Sequence, residues 1–242
     1  MHLALDIGNT LQKIAVFNND ECVYCQSFPL ITETTLVSVF HQFPIQKSIV
    51  SSVANLDAQV VNFLSTNTQQ VHYSHKTKLP IVILYKSTDT LGLDRIANAV
   101  GAATLFPEQN VLAIQVGTCL VFDFVNEQRE YLGGSISPGI QMRFEALHKK
   151  TKNLPYLYKK NSIPDFLGTS TNDSLSSGVI NGIRHEIDGF VDDYKAKFCN
   201  LAVIITGGDA IYLQKSIKNT IFIAPNLVLQ GLNEIIKYNL NF

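Results

Sequence analysis

Leu3-Ala4-Leu5-Asp6-Ile7-Gly8-Asn9-Thr10, near the start of the chain, returns in outline as Leu112-Ala113-Ile114-Gln115-Val116-Gly117-Thr118-Cys119. Each copy is an apolar strand that meets a polar residue and then a Gly beside hydroxyl or amide side chains. Each continues into a second apolar stretch, Lys13-Ile14-Ala15-Val16-Phe17 and Leu120-Val121-Phe122-Asp123-Phe124. Polar turns follow at Asn18-Asn19-Asp20-Glu21 and Asn126-Glu127-Gln128-Arg129, and a third strand is predicted over 22–28 and 130–136. Short spacing and turn chemistry call for antiparallel meanders. One such match is within the reach of chance; the same three-strand grammar twice points to an internal duplication.

Outward from the meanders the pattern alternates between helix and strand. In the first half the spacing predicts a helix over 35–43 and a strand over 48–53. Asn55 is expected to cap a helix with Leu56, Val60, Phe63 and Leu64 inward. Strands over 71–73 and 81–85 and a helix over 94–105 complete it. In the second half Ser137 is expected to cap a helix with Pro138 at its first position, where a missing N–H costs nothing. A long helix is predicted over 173–198, a buried strand over 201–206, then Gly207-Gly208, a helix, a strand over 220–223 and a last helix from 227. The architecture is α/β in two similar halves, 1–110 and 111–242, with a cleft expected between them.

Composition narrows the function. Of 242 residues, 46% are hydrophobic and 16% charged, and 19 Lys and Arg against 20 Asp and Glu leave a net charge of −1. That is a globular chain without the global basic field that recruits nucleic acid or anionic lipid. A small molecule in a local site is the expected client. No basic leader and no long apolar run stands at the start, so neither signal peptide nor membrane is expected, and the cytoplasm follows by default. Cys22 and Cys25 form a CxxC with no matching second pair. In a strand, their spacing places the side chains on opposite faces, so no metal or redox role is expected. His72 and His75 share that spacing and are read the same way.

A tight turn carrying Gly lets backbone N–H groups approach an anion closely. Asn9, Thr10 and Thr118 add side-chain donors. Asp6 would repel phosphate alone, which suggests a bridging cation such as Mg²⁺. Two such hairpins make a two-sided clamp on a polyphosphate. Hairpin turns also use Asp, Gly and Asn for purely structural reasons, but the second copy favours phosphate binding. Val203 to Ala210 leads a strand through Gly207-Gly208 into a helix, a junction that can face an adenosine. Gly92-Leu93-Asp94-Arg95 opens a helix, where Asp94 should stay ionised. Phosphoryl transfer needs only a weak carboxylate base, and Arg95 can hold a substrate carboxylate with two prongs.

Taken together, Asp6 to Thr10, Gly92 to Arg95, Gly117-Thr118, Gly133-Gly134-Ser135-Ile136-Ser137-Pro138-Gly139, Gly168 to Gly178 and Thr206-Gly207-Gly208 occur in one order along the chain. In this the chain resembles the type III pantothenate kinases of the acetate and sugar kinase/actin superfamily. The resemblance implies two duplicated ribonuclease H-like domains and phosphorylation of pantothenate by ATP with Mg²⁺, at the first step toward coenzyme A. It implies ATP contacts at Asp6, Ile7, Gly8, Asn9, Thr10, Leu11, Gln12, Lys13 and Thr118. It implies pantothenate contacts at Tyr85, Gly92, Leu93, Asp94, Arg95 and Thr171, with Asp94 as proton acceptor. It also implies a homodimer, and a monovalent cation (K⁺ or NH₄⁺) held by an Asp before the second hairpin. Here that position is Gln115, and Cys119 stands where the family has Ala. Gln supplies an uncharged carbonyl oxygen and an NH₂ donor, so the charge that would neutralise the cation is missing.

Two other readings come from the same residues. A catalytically impaired relative would act as a binding or regulatory protein, with Gln115 as the sign of lost catalysis. A kinase for another small carboxylate would keep Arg95 and change the acceptor. The basic cluster Arg143, Lys149, Lys150, Lys152, Lys159 and Lys160 reads as a solvated face or a phosphate-facing rim rather than a nucleic-acid surface, since only Tyr156 and Tyr158 interleave it.

Overall fold

The computed structural model describes residues 1–8, 10–52, 57–159 and 162–240. The chain begins with β1 (His2–Ile7), β2 (Gln12–Asn18) and β3 (Glu21–Phe28), an antiparallel meander. Then come α1 (Glu33–Gln42), β4 (Lys47–Ser52), α2 (Ala58–Asn67), β5 (Gln69–Val71), β6 (Val82–Ile83), a 3₁₀ turn at Thr88–Thr90 and α3 (Leu93–Leu105). The second meander is β7 (Asn110–Val116), β8 (Cys119–Val125) and β9 (Glu130–Pro138). After it run α4 (Ile140–Lys150), α5 (Thr171–Lys197), β10 (Leu201–Thr206), α6 (Ala210–Gln214), β11 (Phe222–Ile223) and α7 (Leu227–Leu240).

Two compact units result, Met1–Pro107 with Gln128–Leu132 and Asn226–Phe242, and Glu108–Glu127 with Gly133–Pro225. A single cut at 110/111 therefore misplaces the last helix. Its inward residues Leu227, Leu229, Leu232, Ile235 and Ile236 are buried, and α7 packs on α3, β1, β4 and β2.

The first unit holds a sheet of order β3-β2-β1-β4-β5. The odd-numbered face of β1, Leu3, Leu5 and Ile7, meets Leu36 and Val39 of α1 and Val60 and Leu64 of α2 in a core sealed from solvent. Each such side chain contributes about 1.5–3 kcal/mol by burial. The other face carries the small residues Ala4 and Ala15, and α7 lies over it. His2 and Asn233 meet there at 2.9 Å. The helices α3 and α7 cross at Gly101 and Gly231, where a methyl group on Gly231 would stand 1.8 Å from the Ala97 carbonyl oxygen.

The second unit repeats the plan. Its strands run β11-β10-β7-β8-β9, with β10 parallel to β7 as β4 is parallel to β1. Leu112, Ile114 and Val116 of β7 and Phe122 and Phe124 of β8 pack on Val179, Ile183, Ile187 and Val191 of α5. The duplication thus extends beyond the meanders to a parallel strand laid beside each one's first strand.

Several local expectations change. The helix α2 is capped by Asp57, which accepts the Gln59 N–H at 2.8 Å; Asn55 and Leu56 lie outside the described residues. Ser137 does not cap α4. Strand pairing carries β9 through Pro138, Gly139 is the N-cap, and the Ser137 hydroxyl donates to Glu186 at 2.5 Å. Strand β5 lies at Gln69–Val71 rather than over 71–73, and β6 covers only Val82–Ile83 of the run 81–85. Tyr73 and His75, between the two, are engaged with the start of α3.

The spacing of Cys22 and Cys25 also misleads. The register of β2 and β3 slips between Val16 and Phe17, so Val16 faces Tyr24 and Phe17 faces Cys22, while Ala15 faces Cys25. Val23 is left over as a β-bulge. Ala15 and Phe17 point to one side of β2, so their partners Cys25 and Cys22 share one face of β3.

Candidate active site

In the first unit Asp6 stands in β1 between the buried Leu5 and Ile7, two residues before Gly8. Burial, then the nearby Asp94 carboxylate, raise its pKa from 3.8 to about 6, and Lys13 opposes them. Lys13 is the register partner of Asp6 across β1 and β2. Two carboxylates held this close favour a cation between them once both ionise. The donor set therefore fits a Mg²⁺ delivered with a polyphosphate.

Asp94 stands in the first turn of α3, where the helix dipole favours an anion. Its side chain folds back over the N-cap. A Cβ on Gly92 would lie 2.5 Å from its Oδ1, so only glycine leaves that carboxylate its place. Two side chains from the preceding segment hold the turn. The buried Tyr73 hydroxyl donates to the Leu93 carbonyl at 2.7 Å, and His75 Nε2 donates to the Leu91 carbonyl at 2.8 Å. Burial first, then the Asp94 charge, push the Tyr73 phenol well above its ordinary range. It stays protonated and keeps donating. The sequence places Tyr73 in a strand and gives His75 no ligand role, and neither reading reaches these contacts; His72-Tyr73-Ser74-His75 shows no period, only its place upstream of Gly92.

Arg95 is buried, with its guanidinium carbon 6.0 Å from the centroid of the Tyr85 ring. Tyr85 in turn packs on Tyr131, ring centres 6.0 Å apart. Gly92, Leu93, Asp94, Arg95 and Tyr85 are thus brought together within one unit with Asp6.

The remaining hairpin residues divide. Ile7 is fully buried, so only its backbone can serve a ligand. Gly8 approaches the Leu11 carbonyl closely enough that a Cβ would stand 2.9 Å from it. Thr10 and Leu11 are exposed. Gln12 departs from expectation: its Oε1 accepts the Ile31 N–H at 2.6 Å, which commits the side chain to the approach of α1. Asn9 lies outside the described residues.

In the second unit Thr118 is exposed at the tip of the β7–β8 hairpin. Gly139 is packed beneath that hairpin, its N–H donating to the Thr118 carbonyl at 3.0 Å. Gly207, at φ 97°, turns β10 toward α6, and Asp209 N–H donates to the Val116 carbonyl at 3.1 Å. Thr171 is the exposed first residue of α5, after the N-cap Ser170. The Gln115 side-chain oxygen is buried and accepts no hydrogen bond. It offers a lone pair and no charge, so it is a poor match for the cation-binding Asp that the resemblance implies.

Three of the six basic residues are paired within their own unit. Arg143 pairs with Glu186, Lys149 with Glu145 at 3.3 Å, and Lys159 with Asp209; Lys160 lies outside the described residues. Among the described residues no group of three or more His, Cys, Asp or Glu is arranged to hold a metal. No helix there is long and apolar enough to cross a membrane.

Residues 2–193 match the type III pantothenate kinase family. A type III pantothenate kinase from Christiangramia forsetii is 42% identical over 242 residues, covering 99% of each chain. Among solved structures, one described as a Baf-family transcriptional activator from Campylobacter jejuni superposes with a TM-score of 0.63 at 23% identity, covering 99% of this chain and 100% of that one. A glucokinase from an Antarctic psychrotroph gives 0.50 at 12% identity, covering 98% of both. At such identities the two structures speak for the fold alone. The 42% identity over nearly the whole of both chains and the family match over 2–193 go further: this chain belongs to the type III pantothenate kinase family.

Proposed function

We propose that the protein transfers the γ-phosphoryl group of ATP to the primary hydroxyl of pantothenate, giving 4′-phosphopantothenate and ADP. The observation that carries this reading is the cluster of Asp6, Asp94, Arg95 and Tyr85 in one unit of a chain from this family. Asp94 accepts the hydroxyl proton as the new P–O bond forms. A weak base suffices, because in a loose transition state the proton leaves late. Arg95, fixed by burial and by the Tyr85 face, holds the pantothenate carboxylate and so orients the far hydroxyl. The Gly8 and Gly117 turns, with Asn9, Thr10, Lys13 and Thr118, receive the ATP phosphates. Gln12 supports that loop through Ile31. Thr171 completes the pantothenate contacts. Mg²⁺ bound with ATP neutralises charge on the transferring group, and Asp6 is the residue that would hold it, directly or through water.

No step is assigned to a monovalent cation, since Gln115 supplies no charge to balance one. A homodimer in the cytoplasm belongs to the same reading. Exposed apolar side chains of the second unit, Ile136, Phe166 and Leu167, support association with a second copy. The test is ADP release from ATP and Mg²⁺ with and without pantothenate, run in KCl and in its absence. Pantothenate-dependent turnover supports the reading; folded protein with none in either salt overturns it.

A further inference from the structure

Cys22 and Cys25 themselves take no part in the chemistry above. Both thiols are exposed, and β3 is the edge strand of its sheet, so solvent reaches them. The bulge at Val23 sets them opposite Phe17 and Ala15, two residues apart on β2. Their Cα atoms are therefore about 6.5 Å apart, two strand rises. A disulfide spans roughly 4.4–6.8 Å between Cα atoms. Without the bulge a spacing of three would give about 10 Å and opposite faces, and no bridge could form. Cys22 Sγ donates to the Tyr24 carbonyl at 3.4 Å, which draws its side chain along the strand toward Cys25.

We propose that Cys22 and Cys25 form a reversible disulfide across the bulge of β3. The oxidant is a low-molecular-weight disulfide of the glutathione class. One cysteine thiolate attacks a sulfur of that disulfide, forming a mixed disulfide and releasing one small thiol. The other cysteine thiolate then attacks the protein sulfur of the mixed disulfide, forming the Cys22–Cys25 bond and releasing the second small thiol. Two protein thiols are oxidised, one small disulfide is reduced, and the two cysteine protons end on the released thiols. A bridge near the upper end of its span is strained and easily reduced, as a reversible one must be. Burial pushes both thiols above their ordinary range, and the Lys13 charge pulls Cys25 back, so exchange quickens as pH rises. Lys13 lies on the same face of β2 as Ala15, so the bridge would remove an ionisable neighbour from a residue proposed to hold ATP phosphate. The disulfide itself does not depend on the kinase reading.

Both cysteines fall in one tryptic peptide, 14–47, since no Lys or Arg intervenes. Reduced full-length protein is treated with oxidised glutathione, at rising concentration, until the exposed Cys199 carries an adduct. Remaining thiols are then alkylated and the peptides weighed. The expected 14–47 peptide has lost two hydrogens and carries neither glutathione nor alkyl label, and dithiothreitol restores it. In Cys22→Ser and Cys25→Ser the remaining cysteine keeps a glutathione adduct. A wild-type peptide that is doubly alkylated, or that retains glutathione as the variants do, overturns the proposal.

Discussion

Asp6 and Asp94 oppose one another: the first unit buries one carboxylate next to the other and raises the pKa of Asp6 to about 6. The sign of the consequence follows from proton counting. Between pH 3.8 and 6 the folded state binds more protons at this site than the unfolded chain, so stability falls as pH rises through that window. Above it the ligand-free fold bears a penalty of up to about 3 kcal/mol. Asp6→Asn should therefore raise the melting temperature at pH 7.5, with the gain vanishing below about pH 4. The same variant should lose turnover, and a variant that is neither stabilised nor impaired would remove Asp6 from both roles.

Turnover should itself show an acid limb. Free enzyme with Asp6 protonated lacks the charge to hold Mg²⁺, so kcat/KM for ATP is expected to fall below about pH 6. The limb should move to lower pH as Mg²⁺ is raised.

Asp94→Asn keeps the size of the side chain over Gly92 and removes the base. The fold should persist by circular dichroism while kcat drops by roughly 10²–10⁴-fold, the range of general-base catalysis. Turnover at the wild-type rate would take the proton-accepting role away from Asp94.

Tyr73→Phe deletes one hydroxyl, worth about 1 kcal/mol, at the Leu93 carbonyl. Because that carbonyl belongs to the turn carrying Asp94 and Arg95, KM for pantothenate should rise about fivefold while KM for ATP stays put. His75→Gln, which retains an N–H donor, should resemble wild type, and His75→Leu should resemble Tyr73→Phe. Equal changes in both KM values would mean a general loss of structure instead.

Gln115→Asp should create or strengthen a dependence on K⁺, because it restores the missing charge at a buried oxygen that now accepts no hydrogen bond. An activity-versus-KCl curve identical to wild type would sink that account.

Much of this was legible before any coordinates. The two meanders, the α/β alternation and the helix carrying Asp94 follow from turn chemistry and apolar spacing, which are local signals. What escaped is what local signals do not carry. The bulge at Val23 is invisible in a run of alternating residues, and it reversed the reading of Cys22 and Cys25. Pro138 looked like a helix start because its φ suits one, yet strand pairing carried β9 through it. Gln12 looked free for phosphate until Ile31, far along the chain, claimed its oxygen. Tyr73 and His75 act through carbonyls 16 to 20 residues away, a relationship that no spacing encodes. The fate of α7 is the same kind of fact, since a helix pattern does not say which sheet it covers.

That helix has a consequence for biosynthesis. The first unit's sheet must wait for residues translated after the second unit, because α7 closes over β1 and β4 and brings Gly231 against Ala97. The second unit interrupts the first in sequence, and all of it is translated before α7. A chain released at residue 225 would hold all of the second unit and a first sheet with one face still bare. During synthesis, the unit whose strands are made before the other's is the one that is completed after it.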